Sequence, residues 1–321
     1  MRILVLFLTA CIAAPSFADP LPSWQATEAK ARIIAFVEAT TDPASPDFVP
    51  QAQRIATFDN DGTLWAEQPV YFQFFFAMDY LAERAEADPG LLATDTLKAA
   101  AAGDAKAVLA GGTEALLEVV SASHSGMSVD EFIAASAEWL KTATHPETGK
   151  PFNAHLYQPM IELLRYLRDE GFKTYIVSGG GVHFIRAFAQ DAYGIPPEQV
   201  IGSVAEATYD DATPPKIMKA PGIAFLDDKA GKPIAIDRVI GRRPIIAVGN
   251  LDGDFQMLDW ATTGTGPRLG ILLHHTDANR EWAYDRESAV GRLDRGLDEA
   301  EGRGWLLVDM ADDWARIWPQ Q

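Results

Sequence analysis

Cysteine is all but missing: Cys11 is the only one in 321 residues. Past that position the chain has no thiolate for a disulfide, a metal site or a nucleophile, so its stability rests on its core. Basic runs are missing too. With 27 Lys and Arg against 45 Asp and Glu, the formal net charge is −18, which argues against nucleic acid as a partner. That balance also gives an anionic substrate no long-range attraction. A phosphate would have to be held locally, by a metal ion, a lysine and backbone N–H groups. Long apolar runs form the third absence. The one stretch of note, residues 3–14, is too short to span a bilayer. Internal repeats and low-complexity linkers are absent as well.

Residues 3–14 follow the charged start Met1-Arg2 and lead into Pro15-Ser16-Phe17-Ala18. Ser16 and Ala18 fill a small-x-small cleavage pattern. This predicts a secretory signal peptide over residues 1–18, an exported chain starting at Asp19, and a periplasmic or secreted location. Leu8-Thr9-Ala10-Cys11 offers the other reading, a lipoprotein box with Cys11 as the lipidated residue.

The remaining length alternates helix-like and strand-like segments, which predicts an α/β fold with a Rossmann-like parallel sheet. Helical spacing covers residues 26–40 and 157–170, the latter closed by Gly171. Buried-strand composition covers a strand ending at Asp59 and residues 172–177, 245–248, 269–273 and 305–308. A hairpin is expected within 201–226, a helix over 234–240 with Pro233 in its first turn, and a closing helix around Trp314. Residues 69–151 read as a helical insert. They hold the aromatic run Tyr71, Phe72, Phe74, Phe75 and Phe76, alanine-rich stretches, and a Ser128/Glu131 capping box. Gly111-Gly112-Thr113 reads as a loop within it. The expected division is a core of residues 19–68 and 152–321 around an insert of 69–151.

Polar chemistry collects where the strands end. The first is Thr57-Phe58-Asp59-Asn60-Asp61-Gly62-Thr63-Leu64-Trp65, with two acids two residues apart and a glycine that permits a sharp turn. One carboxylate can attack phosphorus while the other gives and takes the proton. The second is Ser178-Gly179-Gly180-Gly181, a hydroxyl and small-residue N–H groups suited to a phosphate oxygen. The third is Gly249-Asn250-Leu251-Asp252-Gly253-Asp254, a set of hard oxygen donors that with Asp59 suits Mg²⁺. His274-His275 ends a fourth, with Arg280 and Glu281 beyond it; for His275, Arg280 and Glu281 a structural role is expected rather than contact with substrate. Between the second and third lie Lys229 and Lys232 near a helix start. Parallel sheets gather such ends at one edge.

Asp-x-Asp-Gly-Thr and the order of these groups resemble the four motifs of the haloacid dehalogenase superfamily, in its phosphoserine phosphatase-like branch. The resemblance implies an aspartyl-phosphate phosphatase with Asp59 as nucleophile and Asp61 as general acid/base. It implies Ser178 and Gly179 as phosphate ligands, Lys232 rather than Lys229 as the phosphate lysine, and the insert as a helical cap. Mg²⁺ would be held by Asp59, Asp61 through its carbonyl, Asn250 and Asp254. Asn250 departs from the family pattern, which has an acid there. Asp252 is the alternative source of that charge, and Asn250→Asp is expected to tighten Mg²⁺. The activity so implied is hydrolysis of a small phosphorylated metabolite. Phosphotransfer to an alcohol and non-catalytic metabolite binding are the alternatives.

Overall fold

The computed structural model describes residues 18–320. The expected leader as far as Phe17, Cys11 included, lies outside the described residues.

The first helix, α1 (Glu28–Thr41), precedes a short buried strand, β1 (Ile55–Phe58). Five helices then intervene: α2 (Phe72–Ala87), α3 (Asp95–Ala101), α4 (Ala105–Ala110), α5 (Gly112–His124) and α6 (Val129–Thr142). The chain returns through α7 (Gln158–Asp169) to β2 (Lys173–Gly181), followed by α8 (Val182–Arg186) and α9 (Ala189–Tyr193). The hairpin β3 (Val200–Asp210) and β4 (Lys216–Phe225) comes next, then α10 (Gly231–Ile240), β5 (Ile246–Gly249), α11 (Phe255–Thr262) and β6 (Leu269–His274). Last are α12 (Arg295–Glu299), β7 (Leu306–Asp309) and α13 (Met310–Asp313).

The seven strands form one sheet in the order β4-β3-β2-β1-β5-β6-β7. Every neighbouring pair is parallel except the antiparallel hairpin β3–β4. Strand order reverses at β1: β2 lies on one side and β5 on the other, with Phe58 opposite Ile176 and Val248. Such a reversal opens a crevice at the carboxyl ends of the strands, the usual ligand site of an open α/β sheet.

Both sheet faces are covered, which is why the central strands read as unbroken apolar runs. Phe58, Ile176, Val248 and Ile271 face a core that includes Ile33, Val37, Leu163 and Leu164 of α1 and α7. Val177, Ala247 and Leu272 face a second core with Ile236, Met257 and Leu258 of α10 and α11. The alternation follows from the two-residue period of a strand.

The insert has a core of its own, where Phe74, Met78 and Leu81 pack with Leu97, Val108 and Val119. The aromatic run is divided, since Phe72 and Phe76 join the main core instead. The capping box is made as its spacing requires: Ser128 Oγ accepts from Glu131 N at 3.2 Å, and Glu131 Oε2 accepts from Ser128 N at 2.8 Å. Two expectations need correction. Gly112 opens α5 rather than lying in a loop, and its positive φ of 67° joins α4 to α5 without a linker. The closing helix is the single turn α13, ended before Trp314, which is buried against Trp24 and Tyr157.

Candidate active site

β1 ends where its ladder ends, with Asp59 N–H donating to Val248 O at 2.9 Å. The chain then folds back on itself. Thr63 and Leu64 N–H both donate to Asn60 O, and Gly62 N–H donates to Trp65 O at 2.8 Å. Gly62 takes φ +72°, and a Cβ there would run into the Asn250 amide and the Glu67 carboxylate. Conformation and space therefore both require glycine. Trp65 Nε1 donates to Asp61 Oδ1 at 2.8 Å and fixes that carboxyl.

Lys232, on the first turn of α10, is buried against this turn. Its Nζ donates to Asp59 Oδ1 at 2.7 Å, Asp254 Oδ1 at 2.5 Å and Val177 O at 2.9 Å, so all three N–H groups have acceptors. Burial pulls its ammonium down, but Asp254 and Asp59 outweigh that and hold it above the ordinary lysine value. Lys229 is exposed, and its backbone N–H serves Gly253 O. The geometry thus selects Lys232.

Asp254 has both oxygens occupied, since Oδ2 accepts from Asn250 N at 2.9 Å and Leu251 N at 3.2 Å. It braces both the loop and the lysine. Asp252 is not a substitute. Its carboxylate turns away to accept from the N–H groups of Asp294, Arg295 and Gly296, capping α12.

The β2 glycines form a bulge: Ser178 faces Gly202 while Gly181 faces Ser203, which leaves Gly179 and Gly180 looped out. Ser178 Oγ accepts from Gly180 N at 3.1 Å, and Gly179 is exposed. A Cβ on Gly180 would lie 3.3 Å from Ser178 Oγ, 3.4 Å from Asp61 Oδ2 and 3.4 Å from Gln73 Oε1. The hydroxyl, the second acid and a side chain of the insert therefore converge on one spot. Gln73 Oε1 accepts from Gly181 N at 2.7 Å. Nothing in the aromatic run marked Gln73 for this, although it is the run's one amide.

Sequence reasoning also passed over Glu67. It is wholly buried and accepts from Asn250 Nδ2 at 2.6 Å and from Tyr284 OH at 2.8 Å, while its other oxygen has no partner among the described residues. Asn250 Oδ1 accepts from Thr63 Oγ1 at 3.1 Å. A carboxylate thus stands directly behind the amide that replaces the family's acid. The available signal was Glu67 itself, a lone charge after Leu64-Trp65-Ala66. Asp227 is a further buried acid. Both its oxygens are unpartnered among the described residues, and burial pushes its carboxyl up to about 7.

The cradle has more acid than base. Burial raises Asp59, Asp61 and Glu67, and the Asp254 charge raises Asp59 further. A divalent cation would relieve that crowding, and the donors are hard oxygens, as Mg²⁺ prefers. Among the described residues no three His, Cys, Asp or Glu side chains form a ready-made metal group. The fitting set is therefore mixed: the Asp59 carboxylate, the Asp61 carbonyl and the Asn250 amide, with Glu67 behind.

His275 supports the turn rather than facing a substrate. Its Nε2 donates to Gly62 O at 2.9 Å, and its Nδ1 lies 3.2 Å from Glu281 Oε2. Tyr157 OH donates to Glu281 Oε1 at 2.7 Å. His274 lies 3.4 Å from Asp285, and Arg280 is engaged by Asp277 and by backbone carbonyls near the C-terminus. His275, Arg280 and Glu281 have structural partners, as the sequence suggests, and so has His274.

A family model described as haloacid dehalogenase-like hydrolase matches residues 56–259. Among solved structures, a functionally unknown protein from Anaerococcus prevotii is similar at TM-score 0.55 and 16% identity, covering 81% of this chain and 89% of its own. A protein of unknown function from Bordetella pertussis aligns at TM-score 0.49 and 20% identity, over 80% of this chain and 99% of its own. A phosphoserine phosphohydrolase-like protein from Francisella tularensis aligns at 0.40 and 19%, over 78% and 98%. No curated protein matches the chain.

Proposed function

The chain belongs to the haloacid dehalogenase-like hydrolases, and from that premise we propose that it is an Mg²⁺-dependent phosphomonoesterase acting on a small phosphorylated metabolite. The observation that carries this reading is the cradle at the switch point. Asp59 ends the central strand, Asp61 follows two residues on, and Lys232 sits between Asp59 and Asp254.

Lys232 occupies one oxygen of Asp59, which leaves the other to attack phosphorus. The new bond from Asp59 to phosphorus forms as the bond from phosphorus to the leaving oxygen breaks, and Asp61 gives that oxygen its proton. Burial holds the Asp61 carboxyl above its ordinary range, which favours the protonated form this step needs. With Oδ1 held by Trp65, Oδ2 is the oxygen on the side of Ser178 and Gly180. In the second step Asp61 takes a proton from water, whose oxygen attacks phosphorus. Asp59 is regenerated and inorganic phosphate leaves. Ser178 Oγ and the Gly179 N–H hold phosphoryl oxygens, and Lys232 offsets their charge. Bound Mg²⁺, held by Asp59, the Asp61 carbonyl and Asn250, supplies positive charge for the phosphoryl group. The α2–α6 insert serves as a cap that excludes water, with Gln73 as its contact to the phosphate loop.

The test is release of inorganic phosphate from p-nitrophenyl phosphate with and without Mg²⁺. Turnover that needs Mg²⁺ and is lost in Asp59→Asn supports the reading. Equal turnover by that variant sinks it. Adding an alcohol acceptor separates hydrolysis from phosphotransfer. Export is part of the same proposal, with Asp19 as the first residue of the mature chain. Mass spectrometry of protein from the native host checks it, and a diacylated Cys11 species would replace it.

A further inference from the structure

The seam between the insert and the hairpin holds a basic residue that the reaction above does not use. Lys219 on β4 is 6% exposed, and its backbone pairs with the insert: Lys219 N donates to Met127 O, and Gly126 N donates to Lys219 O. Its Nζ lies 4.4 Å from the centre of the Phe132 ring. Burial alone perturbs the ammonium, pulling it down to about 8, and no carboxylate among the described residues is paired with it. An aromatic face returns less than the burial of an unpaired ammonium costs. The chain carries 45 acidic residues, so acids are not scarce, yet none stands here.

The neighbours are basic or neutral. His124 packs on the other part of Phe132, with ring centres 4.6 Å apart. Burial and the Lys219 charge hold His124 well below its ordinary value, and the same two causes hold His183 at about 4, with Arg186 adding to them. Both shifts favour the neutral ring, and the charges that contribute to them, Lys219 with Arg84 and Arg186, leave the seam net positive. The seam connects to the cradle through Gln73. Gln73 Nε2 donates to His124 Nε2 at 3.2 Å, Gln73 Oε1 accepts from Gly181 N, and Gly180 N donates to Ser178 Oγ. Gln73 thus bridges the Ser178–Gly181 loop and the seam. A singly charged group matches one lysine better than a dianion does.

We propose that Lys219 receives a carboxylate on the leaving group, so that the substrate is a phosphate ester of a small hydroxy acid. This rests on the phosphomonoesterase reading of the same site. The test compares 3-phosphoglycerate with glycerol 3-phosphate, which differ only in a carboxylate against a hydroxymethyl. Both are measured by turnover in the parent, Lys219→Met and Lys219→Arg, and by calorimetric binding in the Asp59→Asn background. The parent should favour 3-phosphoglycerate in kcat/KM by about tenfold or more, the scale of one charge-assisted hydrogen bond. Lys219→Met should bring the ratio to within about twofold of unity, and Lys219→Arg should restore part of it. The calorimetric affinities should follow the same order. A parent that hydrolyses p-nitrophenyl phosphate but shows no such preference overturns the inference and leaves the phosphatase reading standing. So does a preference that survives in Lys219→Met. No turnover of any ester, with a Lys219-dependent preference still seen in binding, would fell the phosphatase reading and keep the carboxylate site.

Discussion

The strand-end cradle crowds Asp59, Asp61, Glu67 and Asp254 about one lysine, whereas the seam beside the insert buries Lys219 with no paired acid among the described residues. In the cradle nearly every polar atom is already held, so its excess charge calls for a cation. In the seam the excess has the opposite sign and calls for an anion. One chain of contacts, from the Ser178–Gly181 loop through Gln73 to His124, joins the two. If both proposals hold, the substrate carries phosphate at one end and an acid at the other, in a protein whose overall charge would repel both.

Removing the nucleophile breaks the cradle's side of this comparison most severely. Asp59→Asn is expected to lose ~10⁴-fold or more in turnover while staying folded. Steady-state rates with a melting curve check both halves. Lys232→Met comes next, because it leaves Asp59 and Asp254 buried without their shared cation. A cost of ~3–5 kcal/mol in unfolding free energy is expected, read from denaturant titration. A cost below about 1 kcal/mol would mean those acids do not rely on it.

The cation requirement sharpens the comparison further. The sequence alone suggests that Asn250→Asp tightens Mg²⁺. With Glu67 Oε1 at 2.6 Å from the Asn250 amide nitrogen, that substitution instead presses two carboxylates together. Both Asn250→Asp and Glu67→Gln are expected to raise the Mg²⁺ needed for half-maximal activity, by roughly 10–100-fold for a residue supporting a ligand. The double variant restores one amide and one acid, so it should lie nearer the parent than either single change. If Asn250→Asp alone improves Mg²⁺ affinity, Glu67 is not the compensating charge. The smallest effect is reserved for Asp252→Asn, which only weakens the α12 cap. It should cost about 1 kcal/mol of stability and leave the Mg²⁺ titration unchanged.

What was legible in the sequence follows from the same contrast. Asp59, Asp61, Ser178 and Lys232 sit at strand ends or a helix start, where local pattern and parallel topology dictate their meeting. Asn250 and Asp254 could be placed in the right loop. Which acid there turns inward could not be read, because that depends on α12, more than forty residues away in sequence, supplying free N–H groups to Asp252. Glu67 and His275 act through contacts to Asn250 and Gly62 across the fold, and no spacing announces such partners. The hairpin was foreseen, but Lys219 was one lysine among many until its burial was known. The turn around Gly62 was legible as a turn; its crowding by Asn250 and Glu67 was not.

The central claim is that Asp59 carries the phosphoryl group during turnover. It is tested most directly by quenching the enzyme with acid in mid-reaction, reducing the trapped acyl phosphate with borohydride, and sequencing the peptides by mass spectrometry. The account predicts homoserine at position 59 only, dependent on both substrate and Mg²⁺. Phosphate release with Asp59 unmodified, or with the reduced residue at position 61, would contradict it.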